Sequence, residues 1–259
     1  MSRFNLPSLA PKLSNPLKTN TGVRAVTVWV VVLLLTLPTI STWVYFDLFE
    51  GRGWVTQALY FGSKLLQATI PILWVAFVLR EDWGRPRWSK ASACYGLLVG
   101  LVTMVGMIWT YQALLQGTPI LAQTPASIMK KLRDFQIDTP LRYGVMAVFL
   151  SILHAAFEEY YWRWFVFGQL QQRCHLFWAV FISAMGFAAH HVIVIAKYIP
   201  DEYFFSVTIP GALVIASGGA IWAWIYHRTR SLVGAWIAHM FADIGLMWVG
   251  FDLCQSMLR

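Results

Sequence analysis

Seven apolar runs, near residues 24–46, 58–79, 92–115, 141–170, 176–196, 206–227 and 232–250, decide what this chain can fold into. Each approaches or exceeds the roughly 20 residues that carry a helix across a bilayer. Lipid offers no hydrogen bonds to a backbone, so such runs satisfy their own N–H and C=O groups as helices. The expected fold class is all-α, a polytopic membrane protein of about seven transmembrane helices. The chain divides into a polar N-terminal segment (1–23), one transmembrane domain (24–250) and a short C-terminal tail (251–259).

Charge sharpens this. Only 12% of residues are charged, about half the fraction of a soluble domain. The net charge of +8 is spread between the apolar runs and forms no basic stripe, so the bilayer is the expected partner and nucleic acid is not. Arg3, Lys12, Lys18 and Arg24 precede the first run, Arg80, Arg85, Arg87 and Lys90 fill the second connection, and Arg228 and Arg230 precede the last run. The positive-inside rule then places the N-terminus in the cytoplasm, with a bacterial cell (inner) membrane as the expected location. The first run lacks a small-residue cleavage pattern and reads as a retained span. Cys94, Cys174 and Cys254 lie far apart, without the spacing of a metal knuckle or a disulfide framework.

Within the runs, Pro38 and Pro71 predict kinks whose freed carbonyls neighbouring helices can satisfy. Trp43, Tyr45, Trp83, Trp88, Trp222 and Tyr226 are expected interfacial anchors. Residues 123–138 alternate Ile128, Leu132, Phe135 and Ile137 with Lys130, Lys131, Arg133 and Asp134. That pattern predicts a short amphipathic helix on the membrane surface, either a plain connector or a roof over a site below it.

Polar groups inside the apolar runs carry the functional signal, because an intramembrane acid costs roughly 2.5–3.5 kcal/mol on insertion scales. Glu158 and Glu159 lie within 141–170, His190 and His191 within 176–196, and His239 and Asp243 within 232–250. Helical spacing lets Glu159 pair with Arg163 and puts His154 one turn before Glu158. Glu158 is left to face the bundle centre, as a candidate general base for water. His239 and Asp243 share a face, while periodicity does not choose between the tandem histidines. Two histidines with two or three carboxylates would also suit zinc, although no HExxH motif is present.

In order, Glu158-Glu159-Tyr160-Tyr161-Trp162-Arg163 resembles the EExxxR motif of the CPBP family, the CAAX proteases and bacteriocin-processing (Abi) proteins that include the type II CAAX prenyl endoprotease. Phe187-Ala188-Ala189-His190-His191 resembles its FxxxH motif, and His239-Met240-Phe241-Ala242-Asp243 its HxxxN motif with Asp for Asn. The resemblance covers about 141–250 and implies an intramembrane endopeptidase, with the last four helices as a catalytic bundle. It implies Glu158 as the base, His191 as its assistant with His190 a bystander, Glu159 and Arg163 as a supporting pair, and His239 with Asp243 on the oxyanion side. It implies no metal cofactor; a zinc ion would draw on Glu158, His191, His239 and Asp243. Asp243 would serve as a protonated donor, as the partner that orients His239, or as a metal ligand. A membrane-associated protein or peptide, cut near its C-terminus, is the implied substrate and partner. Two other readings are a noncatalytic relative acting as an immunity factor or scaffold, and a proton-coupled transporter. The transporter would carry inverted repeats, which the sequence does not show.

Overall fold

The computed structural model describes residues 21–80 and 87–258. The N-terminal segment with Arg3, Lys12 and Lys18, the Arg24 side chain, Trp83 and Arg85 lie outside what it describes. Among the described residues seven helices are long and apolar enough to cross a membrane. They are α1 (Ala25–Leu48), α2 (Trp54–Leu79), α3 (Lys90–Leu115), α5 (Pro140–Leu170), α6 (Leu176–Ala196), α7 (Asp201–Thr229) and α8 (Leu232–Cys254). The amphipathic α4 (Thr124–Asp134) lies between α3 and α5. No strand occurs among the described residues. The chain is therefore an all-α, multi-pass integral membrane protein.

Side-chain caps start several spans. Ser89, Thr139 and Ser231 accept hydrogen bonds from the backbone N–H groups of Ser92, Arg142 and Val233, satisfying donors that a first helical turn leaves free. Pro140 follows Thr139, where its missing N–H costs nothing. Both α1 and α2 run through a proline, and each proline frees the carbonyl four residues back. For Pro38 that carbonyl is Leu34, and the Tyr161 hydroxyl donates to it at 2.5 Å. Beside Pro71, the Tyr160 hydroxyl donates to the Ala68 carbonyl at 3.0 Å. Adjacent tyrosines of α5 thus tie down both proline-bearing spans.

Trp29, Phe61, Phe77, Val102 and Val214 are exposed around the bundle, a belt that only lipid would cover. The core forms around the second half of α5, where Tyr161, Trp162, Phe165, Val166 and Phe167 are buried against Leu34, Phe187, Trp222 and Ala238. The first half of α5 turns Leu141, Val145, Val148 and Leu153 outward. Trp43 and Trp88 are exposed, as interfacial anchors should be. Tyr45 and Trp222 are not. Tyr45 is buried, hydrogen-bonded to Thr42 and edge-on to Tyr60, while Trp222 is buried in the core. Position along a helix sets an aromatic residue's depth, but only packing sets whether it faces lipid.

α3 and α8 meet along a seam of small residues, as expected where helices pack without a hydrophobic driving force between them. A Cβ on Gly96 would strike the Gly234 backbone, and one on Gly100 would stand 2.9 Å from the Phe241 Cβ. Ser92 Oγ accepts the Gly234 N–H at 3.0 Å. On the face carrying α4, Met129 and Leu132 pack on Tyr143, Cys254 and Leu258, while Lys130 and Arg133 face outward. Thr124 donates to the Tyr198 carbonyl at 2.7 Å, and Gln57 to the Asp134 carbonyl at 2.7 Å. Glu50 lies 3.3 Å from Lys130 and 3.5 Å from Lys197, which also sits 2.7 Å from Asp47. α4 is thereby fastened to the α1–α2 and α6–α7 turns.

Candidate active site

Glu158 and Glu159 occupy a short α-helical stretch of α5 between two π-helical ones, Phe149–His154 and Tyr160–Phe167. Widened turns of this kind are frequent at functional sites. Both glutamates are buried, and their environments differ.

Glu159 is fully buried, and its Oε1 accepts from Arg163 Nη1 at 2.9 Å. The same oxygen lies 2.8 Å from His239 Nδ1. Arg163 also donates to the Gly219 carbonyl at 3.3 Å, and its guanidinium lies over the rings of Phe187 and Trp222. Gly219 leaves room for this contact, because a Cβ there would press on Phe187 at 3.1 Å and on Arg163 Nη2 at 3.2 Å. Trp222 stacks on His239 with ring centroids 4.4 Å apart. A carboxylate oxygen accepts, so against Glu159 it is Nδ1 of His239 that donates, which leaves Nε2 toward Glu158 and Asp243. Glu159 is thus the residue that orients His239. Asp243 stands on the other side of that ring, its Oδ1 3.7 Å from Nε2, beyond hydrogen-bond distance.

Glu158 faces a ring of cationic or potentially cationic groups. Its Oε1 lies 3.6 Å from His154 Nε2, 3.9 Å from His190 Nε2 and 3.6 Å from Lys64 Nζ. Its Oε2 lies 3.9 Å from His239 Nε2. His191 holds its ring by Nδ1, 2.9 Å from the Phe187 carbonyl, and packs against His190 with centroids 4.1 Å apart. His190 is therefore not set apart from the cluster: it is buried, lies parallel to Trp162, and reaches Glu158 as closely as His239 does. Among the described residues, the three groups whose ligand atoms gather within 4.8 Å are Glu158, His190 and His191, not the four residues that the sequence suggested for zinc. The Lys64 ammonium stands against the same Glu158 oxygen, where it would repel a divalent ion.

Lys64 is the site residue that sequence reasoning missed. A single lysine within the apolar run 58–79 was a usable signal, since intramembrane cations are costly and usually paired. Its partner lies on another span, 94 positions along the chain by number, and no helical periodicity connects them.

Fold and site together define a polytopic membrane protein with a buried carboxylate and imidazole centre, of the kind that can activate water away from bulk solvent. Residues 140–245 match the family model described as Type II CAAX prenyl endopeptidase Rce1-like. This part of the chain, which holds all three motifs, is similar to that family of proteases. No curated protein and no solved structure matches the chain.

Proposed function

We propose that the protein is a glutamic intramembrane endopeptidase that works without a metal and cleaves near the C-terminus of a membrane-associated protein or peptide. The observation that carries this reading is the Glu158 carboxylate, buried at 5% exposure yet faced by His154, His190 and His239 at 3.6–3.9 Å. A carboxylate so placed takes a proton from water as the hydroxide attacks the scissile carbonyl. The proton passes to the leaving amine as the C–N bond breaks. His190 and His191 border the base and bear on its proton. His239, with its tautomer fixed by Glu159, presents Nε2 to the developing oxyanion and donates to it when the ring is protonated. Asp243 lies on that same side and contributes a donor if it carries a proton. The basic residues flanking the spans on the N-terminal side, among them Arg87, Lys90, Arg228 and Arg230, support a cytoplasmic N-terminus, and the membrane we propose is a bacterial inner membrane.

The test is cleavage of fluorogenic peptides, prenylated and unprenylated, by the detergent-purified protein, its Glu158→Ala variant, and both with a chelator. Chelator-insensitive cleavage that disappears in Glu158→Ala is the expected result, and the preferred peptide defines the substrate. Cleavage abolished by the chelator would replace this mechanism with a metal-dependent one. Cleavage that survives Glu158→Ala would remove Glu158 from the chemistry.

A further inference from the structure

Of the 20 lysines and arginines, two lie in the middle of a span, Lys64 in α2 and Arg163 in α5. Each is placed on one of the two neighbouring glutamates. Arg163 binds Glu159 at 2.9 Å, a buried structural pair whose contact is a true hydrogen bond. Lys64 sits 3.6 Å from Glu158 Oε1, too far for a hydrogen bond and close enough for strong Coulombic attraction at low dielectric. The Lys64 ammonium also lies 5.6 Å from the Phe157 ring centroid and 5.9 Å from that of Tyr60, an aromatic cradle that steadies a cation without neutralising it. Its side chain keeps 21% of its surface accessible. α2 lies wholly outside the segment that matches the family, residues 140–245.

We propose that Lys64 is a positioning residue that acts through Glu158, its ammonium group keeping that carboxylate anionic and turned toward the histidines. The inference rests on the peptidase reading of the site. The groups facing Glu158 come from every element around it: Lys64 and Tyr60 from α2, Tyr45 from α1, His154 from α5, His190 and His191 from α6, and His239 and Asp243 from α8. Arg163 of α5 also bears on Glu158, but it is bound to Glu159 at 2.9 Å, so among the described residues of this set Lys64 is the permanent cation left to Glu158. The histidines gain and lose protons around neutral pH, so they do not hold the base charged before each proton transfer. A lysine that takes no part in proton transfer can. A merely structural pair would resemble Arg163 and Glu159, with both partners sealed from solvent and hydrogen-bonded.

Infrared difference spectroscopy at neutral pH tests this without any substrate. Subtracting the spectrum of Glu158→Gln from that of the unmodified protein isolates the Glu158 carboxyl, which should absorb as a carboxylate. The same subtraction in a Lys64→Met background should show the carbonyl band of a protonated acid, and in a Lys64→Arg background the carboxylate band again. Thermal unfolding checks that each variant is folded, and Lys64→Gln replaces Lys64→Met if the latter is not. On a peptide that the unmodified protein cleaves, Lys64→Met should lower kcat at least tenfold with KM held within about twofold, and Lys64→Arg should restore most of it. A carboxylate band that persists in Lys64→Met overturns the inference and leaves the peptidase reading standing. A raised KM at unchanged kcat also overturns it, because Lys64 would then bind substrate. Hydrolysis that survives Glu158→Gln overturns the peptidase reading, whatever the spectra show.

Discussion

Tyr161 closes a gap that Pro38 opens: its hydroxyl donates at 2.5 Å to the Leu34 carbonyl, the one left free by the proline. Both residues are buried. Tyr161→Phe keeps the ring and strands that carbonyl in the core, at a cost of about 1–3 kcal/mol. Thermal unfolding in detergent should register the loss. Pro38→Ala in the same background should recover much of it, because the helix can then satisfy Leu34 internally. If the two substitutions are additive, the coupling is absent.

The pair of Glu159 and Arg163 gives a second prediction. Removing one partner leaves a buried charge uncompensated and costs about 3–5 kcal/mol. Glu159→Gln and Arg163→Met should each destabilise strongly, and the double variant by less than their sum. Glu159→Gln should also lose hydrolysis where it stays folded, because nothing then fixes the His239 tautomer. Unfolding midpoints for the four proteins of the cycle measure the coupling, and kcat measures the second effect.

Asp243 stands where the HxxxN motif that this segment resembles has an asparagine. Its Oδ1 lies 3.7 Å from His239 Nε2, on the side that the proposed mechanism gives to the oxyanion. Asp243→Asn supplies a neutral donor in the same place and should keep kcat or raise it. Asp243→Ala removes the donor and should lower kcat about 100-fold. Equal inactivity of the two variants would show that the carboxyl group itself is needed.

The fastening of α4 has a pH dependence of known sign. Partial burial works against the charge of Glu50, but the hydrogen bonds and charges of Lys130 and Lys197 outweigh it and hold this carboxyl below its ordinary value of 4.5. Its contribution is fully present above that ordinary value and is lost as pH falls through the lower folded one. For Lys197, burial is outweighed by Asp47 and Glu50, which raise it above 10.5. That contribution is present below 10.5 and fades as pH rises through the folded value. Amide protection in α4, taken relative to the intrinsic exchange rate at each pH, should therefore fall in acid for the unmodified protein and depend much less on pH in Glu50→Gln.

The sequence made the spans legible because length and hydropathy are local properties, and the seven apolar runs differ from the observed helices mainly at their ends. α7 begins at Asp201 and not near 206, and α8 continues to Cys254 and not to 250. The spacing of Glu159 and Arg163 was legible for the same reason, since four residues on one helix are neighbours. Contacts between helices were not. Nothing local told that Tyr45 and Trp222 face inward, that His190 reaches Glu158 alongside His191, or that Lys64 comes from α2 to stand beside Glu158. The π-helical stretches on either side of Glu158 add to this, because they break the constant angle per residue on which a helical-wheel argument depends.

The glycine seam between α3 and α8 sets a depth as well as a contact. His239 follows Gly234 by five residues on one rigid rod, and Gly96 and Ser92 lock that rod's height against α3. Sliding α8 by one turn would move His239 about 5.4 Å along the membrane normal, past Glu159 and out of line with Glu158. Three hydrogens in place of side chains thus act as a vertical ruler, and they fix the level in the bilayer at which His239 meets Glu158 and Glu159.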